Sequence, residues 1–508
     1  MDSIFQRPKA HMTMLLITPE AQRDPVHMAL LTRVLAHQLQ QRMYYAREAG
    51  LGWGVSSHTQ GIVVSVSGYS QRQALLMKDV LEALIALDCE AEEPRFDLVK
   101  EQLLRNYRNW NFERADTHAH FAARLCLSTG RLPVAEKLEL ATATTPSSLA
   151  AFKRRLLKGA VSKTFVHGNV LEEDAVAVAD DLEQMLVANG TNPISKAMYP
   201  EVRVVDLPAG RYLVRFPAPS PTEKNSAALL IFMAGQTETD LKASATLSLL
   251  TQIIKEPAFT TLRTREQLGY VVSAYIMDFG AGRGSPVSTL CVSILSKTHS
   301  PPMIEERSKI FLANFLTELS STSDEDLQKH KASLTTKLLE PPKRLSAEFA
   351  QWWGEIQYDD CQWERYEEIA AALEEVTLDD LVTYYKALVL DPETRRQLSV
   401  HCHCSKHAIG GDFEAKAKAK AAEAKAEAKA EAKAKAEEEK ANAKDGEGEE
   451  EGASAADGAA EAAAEEVEEV EQVDTDVEPT LIDFGEWKSW QDSMSLYAAD
   501  IDVKGNKA

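Results

Sequence analysis

The chain has 508 residues, 44% of them hydrophobic and 7% aromatic, and a formal net charge of -22. That length exceeds one ordinary core and predicts two domains plus extensions. No run approaches the roughly 20 apolar residues of a membrane span, and an acidic balance without a basic stripe argues against a nucleic-acid partner. Most of the charge excess sits in Asp445 to Glu478, with fifteen acids and no Lys or Arg. Six scattered cysteines, Cys89, Cys126, Cys291, Cys361, Cys402 and Cys404, read as reduced thiols rather than a disulfide framework. The opening MDSIFQRPKAHM has no apolar signal-peptide core, and GNKA is no retention address. A cytoplasmic location is the expectation.

From Met12 the sequence begins with an apolar run, MTMLLI, followed by a helical-period stretch from Val26 to Arg47. LGWGVSS and GIVVSVSGY, separated by polar HTQ, are punctuated as a hairpin. Helical segments are predicted over Arg72 to Leu87, Glu93 to Phe112, Ala115 to Ser128 and onward to Leu157, then a strand SKTFVHG and a last helix. From about Val202 to His403 the order repeats, with strands RYLVRF and AALLIFM, a helix from Leu241 to Ile254, a hairpin, a helical series and a closing strand. The hairpin entry also repeats, since Arg47-Glu48-Ala49-Gly50-Leu51-Gly52-Trp53 is answered by Arg265-Glu266-Gln267-Leu268-Gly269-Tyr270. Two copies of one α/β unit are therefore expected, joined near Asn189 to Ala197, where NGTNP supplies turn chemistry.

After Gly410 the composition turns to Ala, Lys and Glu, and then to the acidic stretch. Alanine favours helix there. Glu423, Glu427 and Glu431 lie four apart, however, as do Lys425, Lys429 and Lys433, so helical neighbours repel. A fraying helix followed by a disordered acidic part is predicted. TLIDFGEWKSWQDSMSLY regains aromatics and is expected to dock back on the globular part. The expected divisions are 1–195, 196–410, a low-complexity insertion over 411–478 and a docking tail over 479–508.

The most distinctive segment is EPAFTTLRTREQLGYVV, Glu256 to Val272, where a helix end passes into a strand. Together with RDPVHMALL, AGLGWGVSS, GYSQRQALLMKDVLE, VHGNV and PKRLSAEFAQWWGEI, it resembles the C-terminal half of the insulinase (inverzincin) family of zinc metallopeptidases, the insulysin, nardilysin and pitrilysin group. The likeness runs from roughly Arg7 to His403. It implies an α+β fold of two homologous insulinase-type α/β-roll domains, antiparallel-rich sheets packed by helices, forming one half of a clam-like chamber. It also implies a zinc site, H-x-x-E-H plus a distant glutamate, in the N-terminal half. None of the twelve histidines here has that spacing or H-E-x-x-H, so no metal is expected on this chain.

By the same resemblance, Arg263 and Tyr270 match positions that reach towards the scissile bond as auxiliary catalytic and substrate-binding groups. A guanidinium fork and a phenol suit hydrogen bonding to a substrate carbonyl and its oxyanion. On spacing alone, an Arg capping a helix end and a Tyr packed in a hairpin is the favoured reading, and the resemblance reverses that preference. Lys343 and Arg344 match a basic pair implied to bind polyanions, and are otherwise solvated charges before a helix. His401-Cys402-His403-Cys404 with His407 suggests soft-metal ligands. Strand alternation sends His401 and His403 to one face and the cysteines to the other, which favours packing over zinc. His118 and His120, two apart, are not expected to chelate, and Trp352 with Trp353 reads as packing.

Two functions follow as expectations. The first is a substrate-binding half that needs an HxxEH-bearing partner half to cut peptides, with self-association an added outcome of its exposed chamber face. The alternative is a non-catalytic peptide-binding or scaffold homologue.

Overall fold

The computed structural model describes residues 4–91, 93–237, 240–280, 286–357, 361–409 and 478–497. The sequence features expected between Gly410 and Val477 lie outside the described residues. Four strands, β1 (Lys9–Ile17), β2 (Leu51–Ser57), β3 (Gly61–Tyr69) and β4 (Val161–Gly168), pair antiparallel in the order β2-β3-β1-β4. Residues two apart share a face of a strand, so Met12, Met14 and Leu16 join Ile62, Val64 and Val66 in one buried core.

The surrounding helices are α1 (Glu20–Arg23), α2 (Pro25–Arg42), α3 (Tyr44–Glu48), α4 (Gln73–Ala86), α5 (Glu93–Asn109), α6 (Ala115–Leu127), α7 (Val134–Ala143), α8 (Pro146–Lys158) and α9 (Glu172–Ala188). Val34, Leu81, Phe96, Phe152 and Leu182 bring α2, α4, α5, α8 and α9 to that core. Helix starts are marked locally. Asp24 accepts from the His27 N–H ahead of Pro25, and Thr145 with Ser148 forms a capping box around Pro146, each satisfying amides that a helix leaves open.

The second sheet has six strands, β5 (Gly210–Pro217), β6 (Ser226–Gly235), β7 (Val271–Phe279), β8 (Val287–Ser296), β9 (Arg396–His403) and β10 (Thr480–Asp483), in the order β10-β5-β9-β6-β8-β7. Its helices are α10 (Leu241–Ala258), α11 (Pro301–Ser320), α12 (Asp324–Leu338), α13 (Leu345–Gln357), α14 (Arg365–Glu375), α15 (Leu378–Tyr385) and α16 (Trp487–Ser493). The run β7-β8-β6-β9 reproduces β2-β3-β1-β4, pair for pair and antiparallel throughout. One expectation is corrected here. RYLVRF was counted within the repeat, but β5 stands outside it and runs parallel beside β9, with no counterpart among the described residues of the first sheet.

Each copy lends a helix to the other. The small side chains Ala115, Ala119, Ala122 and Ala123 let α6 settle on the second sheet against Ala227, Leu229 and Ile231. In return, α13 lies on the first sheet, where Phe349 stacks with His11 and with Phe165, both at 5.1 Å between ring centroids. His167 pairs with Glu348 at 2.9 Å, and the Lys163 ammonium donates to the carbonyls of Ile356 and Gln357 at 3.3 and 3.2 Å. Those carbonyls belong to the last turn of α13, the negative end of the helix.

The returning segment binds both copies at once. β10 pairs with β5, Phe484 stacks on Phe216 at 4.5 Å, and Gln491 Nε2 donates to the carbonyls of Leu125, Cys126 and Ser128 at the end of α6. Trp487 is only 8% exposed within the same core. Trp487→Ala is expected to destabilise the fold by about 3 kcal/mol through the cavity it leaves, measurable as a lowered urea midpoint. No helix among the described residues is long and apolar enough to cross a membrane.

Candidate functional site

The segment that carries Arg263 leaves α10 by an unusual winding. Pro257, in the last turn of α10, cannot donate a backbone hydrogen bond. The next seven residues, Phe259–Arg265, form a π-helical turn, a local widening of the helix that recurs at functional sites. The Glu266 N–H bonds the Thr261 carbonyl at 2.9 Å, and the Leu268 N–H bonds the Leu262 carbonyl at 3.0 Å. Leu262 and Leu268 are buried on either side and pin the turn, while Glu266 pairs with Arg307 at 2.7 Å.

Gln267 takes a left-handed φ of 53° to redirect the chain. At Gly269 a Cβ would come within 2.3 Å of the Leu295 carbonyl oxygen, so only glycine admits this approach. Tyr270 follows immediately, at the entrance to β7.

Because β7 is the outermost strand of its sheet, its outward backbone groups face away from any partner strand. Arg263 Nε donates to the Tyr270 carbonyl at 3.2 Å, and its guanidinium carbon lies 5.2 Å from the centroid of the Phe259 ring, a cation–π geometry. Both Arg263 and Tyr270 are exposed, Tyr270 at 53%. A second guanidinium approaches from the other copy. Arg114, just before α6, is held by Asp116 with Nε to Oδ1 at 2.9 Å; the hydrogen bond and charge of Asp116, and then nearby Tyr270, push its pKa up. The sequence reading missed Phe259 and Arg114. Phe259 stands four residues before Arg263, a helical spacing that could have revealed it, whereas nothing local announces Arg114.

The other sequence candidates lie apart from this pair. Lys343 and Arg344 are exposed in the turn before α13, and Lys343 pairs with Glu340 at 2.6 Å. Among the described residues, no contact joins them to Arg263 or Tyr270. His118 meets the Trp110 ring edge-on at 5.1 Å, while His120 bonds the Tyr275 hydroxyl across the copies. Trp353 extends the Phe349 stack, and Trp352 meets Trp363.

The His401 cluster is spent on packing. His401 pairs with Glu305 at 2.8 Å, the His403 ring bonds the His407 carbonyl, and the His407 ring bonds Ser226. Cys402 points into the opposite core layer with Leu398 and Val400. Among the described residues, no group of three or more His, Cys, Asp or Glu is arranged to hold a metal ion. Because Cys402 faces the layer opposite His401 and His403, the donors of this stretch do not converge on one point as a zinc ion requires.

Glu305 is the hub of that layer. It accepts from Ser399 at 2.9 Å and pairs with Arg211 at 3.4 Å and Lys309 at 3.3 Å. Burial alone would raise its carboxyl pKa, but hydrogen bonding and charge from His401, then Arg211 and Ser399, hold it below the usual carboxylate range.

Comparison with known proteins places this geometry. A profile for the middle or third domain of peptidase M16 matches residues 1–140, and one for the C-terminal lobe domain 4 of PqqF-like PQQ synthase matches residues 249–353. The chain is 30% identical to the insulin-degrading enzyme of Homo sapiens over 408 residues, covering 79% of this chain and 39% of that protein. It is also 30% identical to the insulin-degrading enzyme of Drosophila melanogaster over 407 residues, covering 79% and 40%. It thus spans about two fifths of the length of these relatives. In fold it is similar to crystalline pitrilysin, with a TM-score of 0.70 at 22% identity over 80% of this chain and 42% of that one.

Proposed function

The chain belongs to the insulinase (M16) family and matches its C-terminal half, and from that premise we propose that it is the substrate-holding half of a zinc metalloendopeptidase. On this reading the HxxEH zinc site and its general base reside in an N-terminal half, and the two halves enclose a peptide substrate between them. The observation that carries the reading is the exposed pair at the entrance to the outermost strand, with Arg263 bonded to the Tyr270 carbonyl and supported by Phe259.

The chemistry of the pair is specific. The guanidinium N–H groups not directed at Tyr270, and the exposed Tyr270 hydroxyl, are donors available to a bound peptide. They are suited to the oxygen of a scissile carbonyl as it gains negative charge, and donors set in place before reaction stabilise the transition state most. Lys343 and Arg344 stand on this proposal as a secondary polyanion contact at the start of α13. In the absence of the N-terminal half, the face that would meet it offers a surface for self-association. Five buried thiols, Cys89, Cys126, Cys291, Cys402 and Cys404, lie outside any disulfide and support a reducing compartment such as the cytosol.

The deciding experiment measures zinc-dependent cleavage of a quenched fluorescent peptide by this chain alone and mixed with an HxxEH-bearing half. Activity in the mixture only is the expected result. Cleavage by the chain alone overturns the proposal, while peptide binding without cleavage in either sample points to the scaffold alternative.

A further inference from the structure

Among the described residues, buried and half-buried charges generally have an opposite charge or a carbonyl as partner, as the Lys331 ammonium has the Glu374 carbonyl at 2.9 Å. Arg211 meets Glu305, Arg307 meets Glu266, and Arg365 holds Glu355 through two bonds of 2.7 and 3.0 Å. One group of cations breaks the pattern, where the turn from α6 to α7 abuts the end of β7. Phe121 and Arg124 stand three apart on α6 and so share a face. The ammonium of Lys137, early in α7, lies 5.8 Å from the centroid of the Phe121 ring. The guanidinium carbon of Arg124 lies 5.6 Å from that of Phe279, the last residue of β7.

Arg131, in the turn between the two helices, completes the group, and its Nε is buried without a hydrogen-bond partner. Arg131 is close enough to feel the charge of Arg124, and Lys137 that of Arg131; burial first, and then this repulsion, pushes both pKa values down. All three side chains are half-buried. None forms an ion pair with a described residue. The two rings offset part of the repulsion through cation–π attraction, but cations withdrawn from water remain costly without a counter-charge. The arrangement has the charge, the donors and the partial burial of an anion site.

We propose that Arg124, Arg131 and Lys137 bind an oxyanion of the phosphate class, seated between α6, the α6–α7 turn and the end of β7. The remaining N–H groups of the half-buried Arg131 guanidinium meet the ion, Arg124 and Lys137 flank it, and the bound ion ties the first copy's helices to the second sheet. Either a free inorganic ion or the phosphoryl group of a small ester satisfies this chemistry.

The test uses the whole chain in a thermal-shift titration with inorganic phosphate or methyl phosphate, against sodium chloride of matched ionic strength. At about a hundredfold above Kd, a rise in Tm of roughly 2–4 °C is expected for a chain of this size. A response to inorganic phosphate alone assigns the free ion, and a stronger response to methyl phosphate assigns the esterified source. Lys137→Met should abolish the response while leaving Tm without phosphate unchanged or higher, because it removes a repelling charge. Arg131→Gln should weaken the response at least tenfold. Phosphorus NMR of the wild-type chain supplies a reading independent of variant folding, with line broadening expected on addition of protein. An equal rise with chloride, an undiminished response in Lys137→Met, or unbroadened phosphorus lines would each overturn the proposal.

Discussion

When the chain is combined with an HxxEH-bearing half and zinc, Tyr270→Phe and Arg263→Ala should each lower kcat/KM for a peptide by on the order of 10²-fold. That is the usual loss when one preorganised donor to a developing oxyanion is removed. The loss should fall mainly on kcat for Tyr270→Phe, because deleting one hydroxyl leaves the ring and its peptide contacts in place. Arg263→Ala should also raise KM, since it removes both the bond to the Tyr270 carbonyl and the cation resting on Phe259. Both side chains are exposed, so the stability of the chain itself should stay within about 0.5 kcal/mol of wild type. Steady-state kinetics paired with urea unfolding of each variant checks the claim. Unchanged kinetics in both variants would remove the pair from the mechanism.

The largest loss of stability is expected at Glu305. Its buried carboxylate is the counter-charge for Arg211 and Lys309 and bonds the His401 ring. Deleting it strands those cations, and removing one partner of a buried ion pair typically costs about 3–5 kcal/mol. Glu305→Ala should therefore unfold at much lower denaturant, with Glu305→Gln intermediate because it keeps hydrogen bonds and loses charge.

Acid should act on the same layer. A carboxyl whose pKa is lowered by folding contributes stability that is present above its unfolded value and is lost as pH falls through the folded one. Histidines point the same way. Burial pushes His11, His58 and His118 below the ordinary 6.5, and pushes His407, next to Lys406 and His299, down to about 4. The unfolded chain therefore takes up these protons first. Stability should decline from about pH 6.5 downward, steepening as Glu305 titrates, and unfolding midpoints measured from pH 8 to 4 test the direction.

The hairpin of LGWGVSS and GIVVSVSGY was legible because alternation and a short polar turn specify a strand pair locally. SAALLIFMAG of β6 lacks alternation, being buried along almost its whole length, yet its place in the repeated order was enough. The resemblance singled out Arg263 and Tyr270 as candidates, and strand alternation argued for packing over metal binding in the His401 cluster. Other features had no local signal. ADTHAHFAARLCL reads as a helix with small apolar residues, but nothing in it states which sheet those residues cover. The π winding at Phe259–Arg265 had one cue, Pro257, which marks a departure from regular helix without giving its form. Arg124, Arg131 and Lys137 look like ordinary surface charges in sequence, and only the packing around α6 leaves them half-buried.

The exchange of α6 and α13 makes the two sheets thermodynamically inseparable. A unit that melted alone would strip one face from its neighbour, so the usual modular behaviour of tandem repeats is closed to this chain. Calorimetry should record one cooperative endotherm rather than two. If a protease cut the connection near Asn189, the pieces should stay associated, each carrying a helix that completes the other.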